Sequence, residues 1–221
     1  MIMRKIITVM RSFKNKNSLS IRYEALFYMF KAQYAVLRYT NAYDGAAFIE
    51  KAIEIIGKSP EKEFKHLLSN LYSNLGFYKQ MQNKYNNMEI LNCYEIAYQL
   101  LKETDELYSY DGYILAKKIA ECYAVSSNIK MAVEVLEQFA EYFKPYYIPE
   151  NYSEYIECCQ KEKFNSLLQY AELLEVIGIL KSKINQNIDI ERRTALKIYN
   201  AVFENQPDKL AEHIEIIKLL K

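Results

Sequence analysis

The chain has no tryptophan and is poor in glycine (5), proline (4), cysteine (4) and histidine (2). So few turn formers exclude an all-β fold with many tight connections. The cysteines, Cys93, Cys122, Cys158 and Cys159, match no zinc-binding spacing, and the adjacent pair cannot easily bridge to itself. Free buried thiols in a reducing compartment are therefore expected. The two histidines, His66 and His213, have no neighbour at ligand spacing. No apolar run approaches the ~20 residues that span a bilayer. Nor is there an excess of one charge: 29 basic against 28 acidic side chains leave a net +1. This offers no global field for nucleic acid or an anionic membrane.

Hydrophobic residues make up 51% of the chain and charged residues 26%, the balance of a folded soluble protein. Leu, Ile, Ala, Glu and Lys dominate and favour helix. Tyrosine is abundant, at 21 residues. AT-rich coding, which also enriches Lys, Asn and Ile, and a role in binding are both open explanations.

Apolar residues recur at steps of three and four along most of the chain. Leu19, Tyr23, Leu26, Phe30, Tyr34 and Leu37 form the stripe of a first helix, 19–38. Further helices are expected at 45–56, 60–81, 88–101, 113–125 and 129–143, with 104–112 as a loop or frayed end. Ser59 and Pro60 have the types of an N-cap and a first helical residue. Pro145 and Pro149 interrupt the pattern. A long segment follows to about Ile184, with a break and a weak point at Gly178. Asp189 is expected to cap a helix ending near Phe203, and Pro207 to open the last one. The expectation is an all-α chain of eight or nine helices in antiparallel pairs. Residues 1–17 form a basic segment, and 18–221 one helical-repeat domain with a candidate break at 144–150.

The second helix of each pair carries a recurring pattern of a small residue followed by larger apolar ones. It is seen at Gly45, Ile49 and Ala52; at Ile90, Tyr94 and Ala97, where the first small residue is lost; at Ala132, Leu136 and Phe139; and at Ala195, Tyr199 and Val202. A small residue at a crossing lets the partner helix approach the backbone. Two pairs also carry family-like positions. These are Tyr72, Asn74, Leu75 and Gly76 in one, and Ala120, Tyr123 and Ala132 in the other, with Asn128 at the turn and Pro145 near the terminal proline position. In these residues the chain resembles the tetratricopeptide repeat. The spacings of 45, 42 and 63 between Gly45, Ile90, Ala132 and Ala195 depart from that family's 34. They look more like the degenerate superhelices of bacterial peptide-sensing regulators. The resemblance implies a right-handed superhelix whose first helices line a concave groove.

Carried over by position, that groove holds Asn70, Ser73, Asn74 and Phe77 from one repeat and Ile114, Lys117, Lys118 and Glu121 from the next. Asparagine amides can pair with a peptide backbone, and Lys117 can meet a carboxylate. The resemblance thus implies a non-catalytic module that binds a protein or peptide as an adaptor or regulator. The alternative is a sensor of a peptide or small ligand that switches a partner. The competing reading of the same residues is the solvated face of amphipathic helices.

Other features carry less. Tyr142, Tyr146, Tyr147, Tyr152 and Tyr155 surround the proline break, as an interface or as local packing. Glu61 with Glu63, and Glu172 with Glu175, read as solvated carboxylates, and Cys158 or Cys159 would have to serve any enzyme. No phosphate loop or nucleophile elbow is present, so no catalysis, cofactor or metal is expected. The N-terminal arm (Arg4, Lys5, Arg11, Lys14, Lys16) could touch phosphates, yet Ile6, Ile7, Met10 and Phe13 suit a helix packed on the first repeat. Its apolar part is too short for a signal-peptide core, so a cytoplasmic chain with no membrane partner is expected. The wide apolar band of the last helix, with Ile216 and Leu219 beside its main stripe, makes a homodimer through the C-terminal helix a candidate.

Overall fold

The computed structural model describes residues 18–57, 64–83, 86–145, 148–161 and 166–219. Among these residues the chain is all-α, with ten helices and no strand. They are α1 Ser18–Tyr39, α2 Ala42–Gly57, α3 Lys65–Met81, α4 Asn87–Glu103, α5 Tyr110–Val125, α6 Ile129–Phe143, α7 Tyr152–Lys161, α8 Ser166–Lys183, α9 Asp189–Val202 and α10 Pro207–Leu219. The count exceeds the expected eight or nine. The segment read as one interrupted helix to Ile184 is two separate elements, α7 and α8, and Gly178 lies inside α8 without breaking it. The Ser59–Pro60 start, the carboxylates Glu61 and Glu63 and the N-terminal arm lie outside the described residues.

Asparagine starts many of these helices. Asn41 Oδ1 accepts from the Asp44 amide at 3.1 Å while its own amide reaches the Asp44 carboxylate at 3.0 Å. Asn86 does the same with Glu89, and Asn151 with Glu154. Each such reciprocal pair satisfies donors that a helix start leaves open. Asn128 and Ser109 cap α6 and α5 in the simpler way. Ser109 brings the start of α5 forward to Tyr110, into the segment read as a loop or frayed end. Asp189 is the first residue of α9 rather than its cap; the Asn187 side chain accepts from the Asp189 amide at 2.8 Å.

The shortage of glycine is met at the turns by other residues in the left-handed region. Thr40, Asn83, Asp105, Ser127 and Asn185 have φ of 50°, 54°, 60°, 61° and 56°. Behind several of them the next amide folds back on the preceding helix, as Asn41 does to Ala35 O and Asn128 to Tyr123 O. These are helix-terminating caps that usually employ glycine.

The fold divides into two compact units, residues 1–107 and 108–221. In the first, α1 packs on α2, α2 on α3 and α3 on α4. The last two run antiparallel, since Lys65 at the start of α3 meets Glu103 at the end of α4 at 2.6 Å. Between these ends the buried Ser69 hydroxyl donates to Ala97 O, and Tyr94 donates to Gln80 Oε1. Close approach is literal at Gly76: a Cβ there would lie 2.8 Å from the Tyr94 ring. The core contains Ile49, Ile56, Phe64, Leu71, Tyr78 and Cys93.

The apolar stripe of α1 lies largely outside the core, with Leu19, Tyr23, Phe30 and Tyr34 about half exposed and Leu37 85% exposed. The buried face is instead Ile21, Ala25, Ala32, Ala35 and Val36. Alanines let α2 come close, whereas the larger side chains would hold it away.

In the second unit α5 packs on α6, α6 on α8, α8 on α9 and α9 on α10. The short α7 packs on α9. Its start is tied there by the Tyr152 amide donating to Glu204 at 2.8 Å and by Lys197 reaching Glu150 at 3.1 Å. Lys181 of α8 joins three helices, with Glu137 of α6 and Glu191 of α9 both 2.6 Å away. Burial lowers its basicity, but hydrogen bonds to the two carboxylates more than compensate, and the net shift is upward.

Candidate functional site

In the first unit Asn70, Ser73, Asn74 and Phe77 stand at positions i, i+3, i+4 and i+7 of α3 and share a face. The first three are half-buried and Phe77 is exposed. The Asn74 amide donates to Asn70 O at 2.8 Å, which fixes the side chain along its own helix. The neighbouring Leu71, Leu75 and Tyr78 supply the buried face. What remains is an apolar ring beside two amides and a hydroxyl.

In the second unit the four groove residues do not behave alike. Lys118 and Glu121 are ion-paired to one another at 2.9 Å. Ile114 is half-buried. Lys117 is drawn into a larger cluster: its ammonium lies 3.1 Å from the Tyr113 hydroxyl and 4.9 Å from the centre of that ring. An ammonium carries three donors, and this contact occupies one.

Tyr113 is itself buried, and its hydroxyl donates to Glu172 on α8. One turn further along α8, Glu175 accepts from the Tyr199 hydroxyl of α9 at 2.9 Å and lies 3.0 Å from His213 Nδ1 of α10. The His213 ring stacks on Tyr199 at 4.0 Å between centroids and lies nearly parallel to Phe203 at 5.5 Å. Four helices thus meet through two carboxylates, two phenols, an ammonium and an imidazole. Burial, then the Glu172 hydrogen bond, pushes the Tyr113 phenol far above its ordinary range; burial, then the Glu175 charge, does the same to Tyr199. Both phenols are therefore held protonated, as hydrogen-bond donors and not as bases or nucleophiles.

The solvated reading of Glu172 and Glu175 is accordingly overturned: both carboxylates are hydrogen-bonded inside the unit, and the Glu175 side chain is only 13% exposed. No local pattern distinguishes such a pair from two surface acids. The i,i+4 relation of Tyr113 to Lys117 was the one readable hint. On the same helix, a turn before Glu172, Gln169 holds a buried side-chain oxygen without a hydrogen-bond partner among the described residues.

The remaining candidates disperse. His66 pairs with Glu106 at 3.1 Å on the surface of the first unit. Tyr152 and Tyr155 are in ring contact at 6.0 Å, while the side chains of Tyr142, Tyr146 and Tyr147 lie outside the described residues. Cys158 is half-buried, and the Cys159 side chain is outside the description. Of the last helix, Ile217 is fully buried, Leu210 and Ile214 are half-buried, and Ile216 is exposed. Among the described residues no helix is long and apolar enough to cross a membrane, and no group of three or more His, Cys, Asp or Glu side chains is placed to hold a metal ion.

No protein-family model, curated protein or solved structure matches the chain.

Proposed function

We propose that the chain is a tetratricopeptide-like helical-repeat module, right-handed in its stacking, that binds a protein or peptide segment without catalysis and acts as an adaptor or regulator in the cytoplasm. The observation that carries the reading is the α3 face. Asn70, Ser73, Asn74 and Phe77 stand on the first helix of a packed pair, with an exposed aromatic ring among half-buried polar groups. Such a surface offers a peptide both an apolar anchor and backbone hydrogen bonds. Lys117, Lys118, Glu121 and Ile114 belong to the same proposal in the second unit, with Lys117 the residue for a partner carboxylate.

The test compares captured partners from source-cell lysate for the wild type and for Asn74→Ala/Phe77→Ala, followed by calorimetry with the captured segment. A segment bound by the wild type and lost by the variant at unchanged melting temperature supports the reading. Equal capture by both proteins overturns the α3 face as the site.

A second reading is favoured by the Tyr113–Glu172 and Glu175–His213 cluster. In it, the second unit senses a peptide or small ligand that exchanges hydrogen bonds with this network and with the unpartnered Gln169 oxygen. An unmade buried hydrogen bond costs about 1–3 kcal/mol, which a ligand donor would recover. A ligand that binds only the folded state raises the melting temperature by mass action, logarithmically once its concentration exceeds Kd.

A further inference from the structure

The opening helix has two apolar faces, and only one is used. Ile21, Ala25, Ala32 and Val36 are buried in the core of the first unit. On the far side stand Leu19, Tyr23, Leu26, Phe30, Tyr34 and Leu37, which at the turn angle of an α-helix fall within an arc of about 80°. No charged residue interrupts that arc. Arg22 lies on one flank and Glu24, Lys31 and Arg38 on the other. Apart from the half-buried Leu26, each of these side chains is at least half exposed. A helix that is apolar around most of its girth is normally covered on both sides.

We infer that this face is the interface of a homodimer, in which α1 of one copy lies antiparallel against α1 of a second. The steps from Leu19 to Leu37 are four, three, four, four and three residues, the knobs-into-holes spacing of paired helices. The order is also self-complementary. Turned end to end about its midpoint, the stripe sets Leu19 against Leu37, Leu26 against Phe30 and Tyr23 close to Tyr34. A two-fold interface requires this, since the same patch must serve both partners. The size fits as well. Six large side chains with roughly 100 Å² each left uncovered give about 600 Å² per copy, and about 1,200 Å² in all lies within the range of specific interfaces. Tyr39, exposed beyond the end of the stripe, is in edge-on ring contact with Tyr34 at 5.8 Å. The inference is independent of the α3 face. It differs from a dimer through α10, whose Ile217 is spent inside its own unit.

The experiment is sedimentation equilibrium of the full chain from low to high micromolar concentration, for the wild type, Phe30→Glu and Tyr34→Glu. Leu19→Cys/Leu37→Cys is then oxidised mildly and the disulfide located by peptide mapping. The expected result is a wild-type dimer and a loss of affinity of roughly a hundredfold or more in either glutamate variant, with melting of the monomer unchanged. The paired cysteines are expected to link two copies, because within one copy they stand about 27 Å apart, far beyond disulfide reach. A wild-type chain that stays monomeric overturns the inference. It does so whether the face is then found covered by residues 1–17, seen as a monomer that Phe30→Glu destabilises, or by a different protein. A dimer that Phe30→Glu leaves intact overturns it equally.

Discussion

The Tyr113 hydroxyl donates a hydrogen bond to the Glu172 carboxylate, joining α5 to α8 across 59 positions of sequence. Hydrogen bonds to charged acceptors are the stronger kind, and losing the donor leaves a partly buried carboxylate short of a partner. Tyr113→Phe is expected to destabilise the protein by about 1–3 kcal/mol, read as a lower urea midpoint at unchanged slope.

Alkali should act on the same groups. Burial and the neighbouring carboxylates hold the Tyr113 and Tyr199 phenols protonated in the folded state, above the ordinary value of 10.0. The unfolded chain loses those protons first, so it binds fewer of them, and stability falls as pH rises past about 10 while being fully present below it. Urea midpoints measured from pH 8 upward should decline more steeply for the wild type than for Tyr113→Phe/Tyr199→Phe. Equal slopes would remove the two phenols as the cause.

Gly76 and Gly57 should respond oppositely to alanine. At Gly76 the new Cβ meets the Tyr94 ring at 2.8 Å, and that ring is buried and tethered to Gln80. Overpacking of this kind costs about 1–3 kcal/mol, more than the helix propensity gained. At Gly57, the last residue of α2, nothing lies within 4 Å. Gly57→Ala should be neutral or stabilising by up to about 1 kcal/mol in thermal denaturation.

Thr40 holds a β-branched side chain at φ 50° between α1 and α2. The left-handed conformation costs an L-residue about 1–2 kcal/mol, which glycine avoids. Thr40→Gly is therefore expected to raise the unfolding midpoint, whereas Thr40→Val should not.

The thiols should separate by burial. Cys93 and Cys122 are buried, and burial pushes the Cys93 thiol up, so the reactive thiolate is both rarer and less accessible. In a timed maleimide reaction of the native protein, Cys158 should label before Cys93 and Cys122, and denaturant should abolish the difference.

The α3 face shows how far local pattern reaches. The steps from Asn70 to Phe77 place these residues on one side of a helix in any structure that keeps the helix, and the core residues Leu71, Leu75 and Tyr78 are set by the same period. Glu172 and Glu175 show where it stops. Two acids three residues apart look alike whether water or Tyr113, Tyr199 and His213 surrounds them, because those partners come from three other helices.

The sequence by itself determined the helical class and most helix ends. Both rest on interactions within a few residues: the three- and four-residue apolar steps and the asparagine caps at Asn41, Asn86, Asn128 and Asn151. Only the tertiary structure decided which side of α1 faces inward. Periodicity favoured the larger side chains, but close packing selected Ala25, Ala32 and Ala35, since the distance at which α2 can sit depends on both helices together.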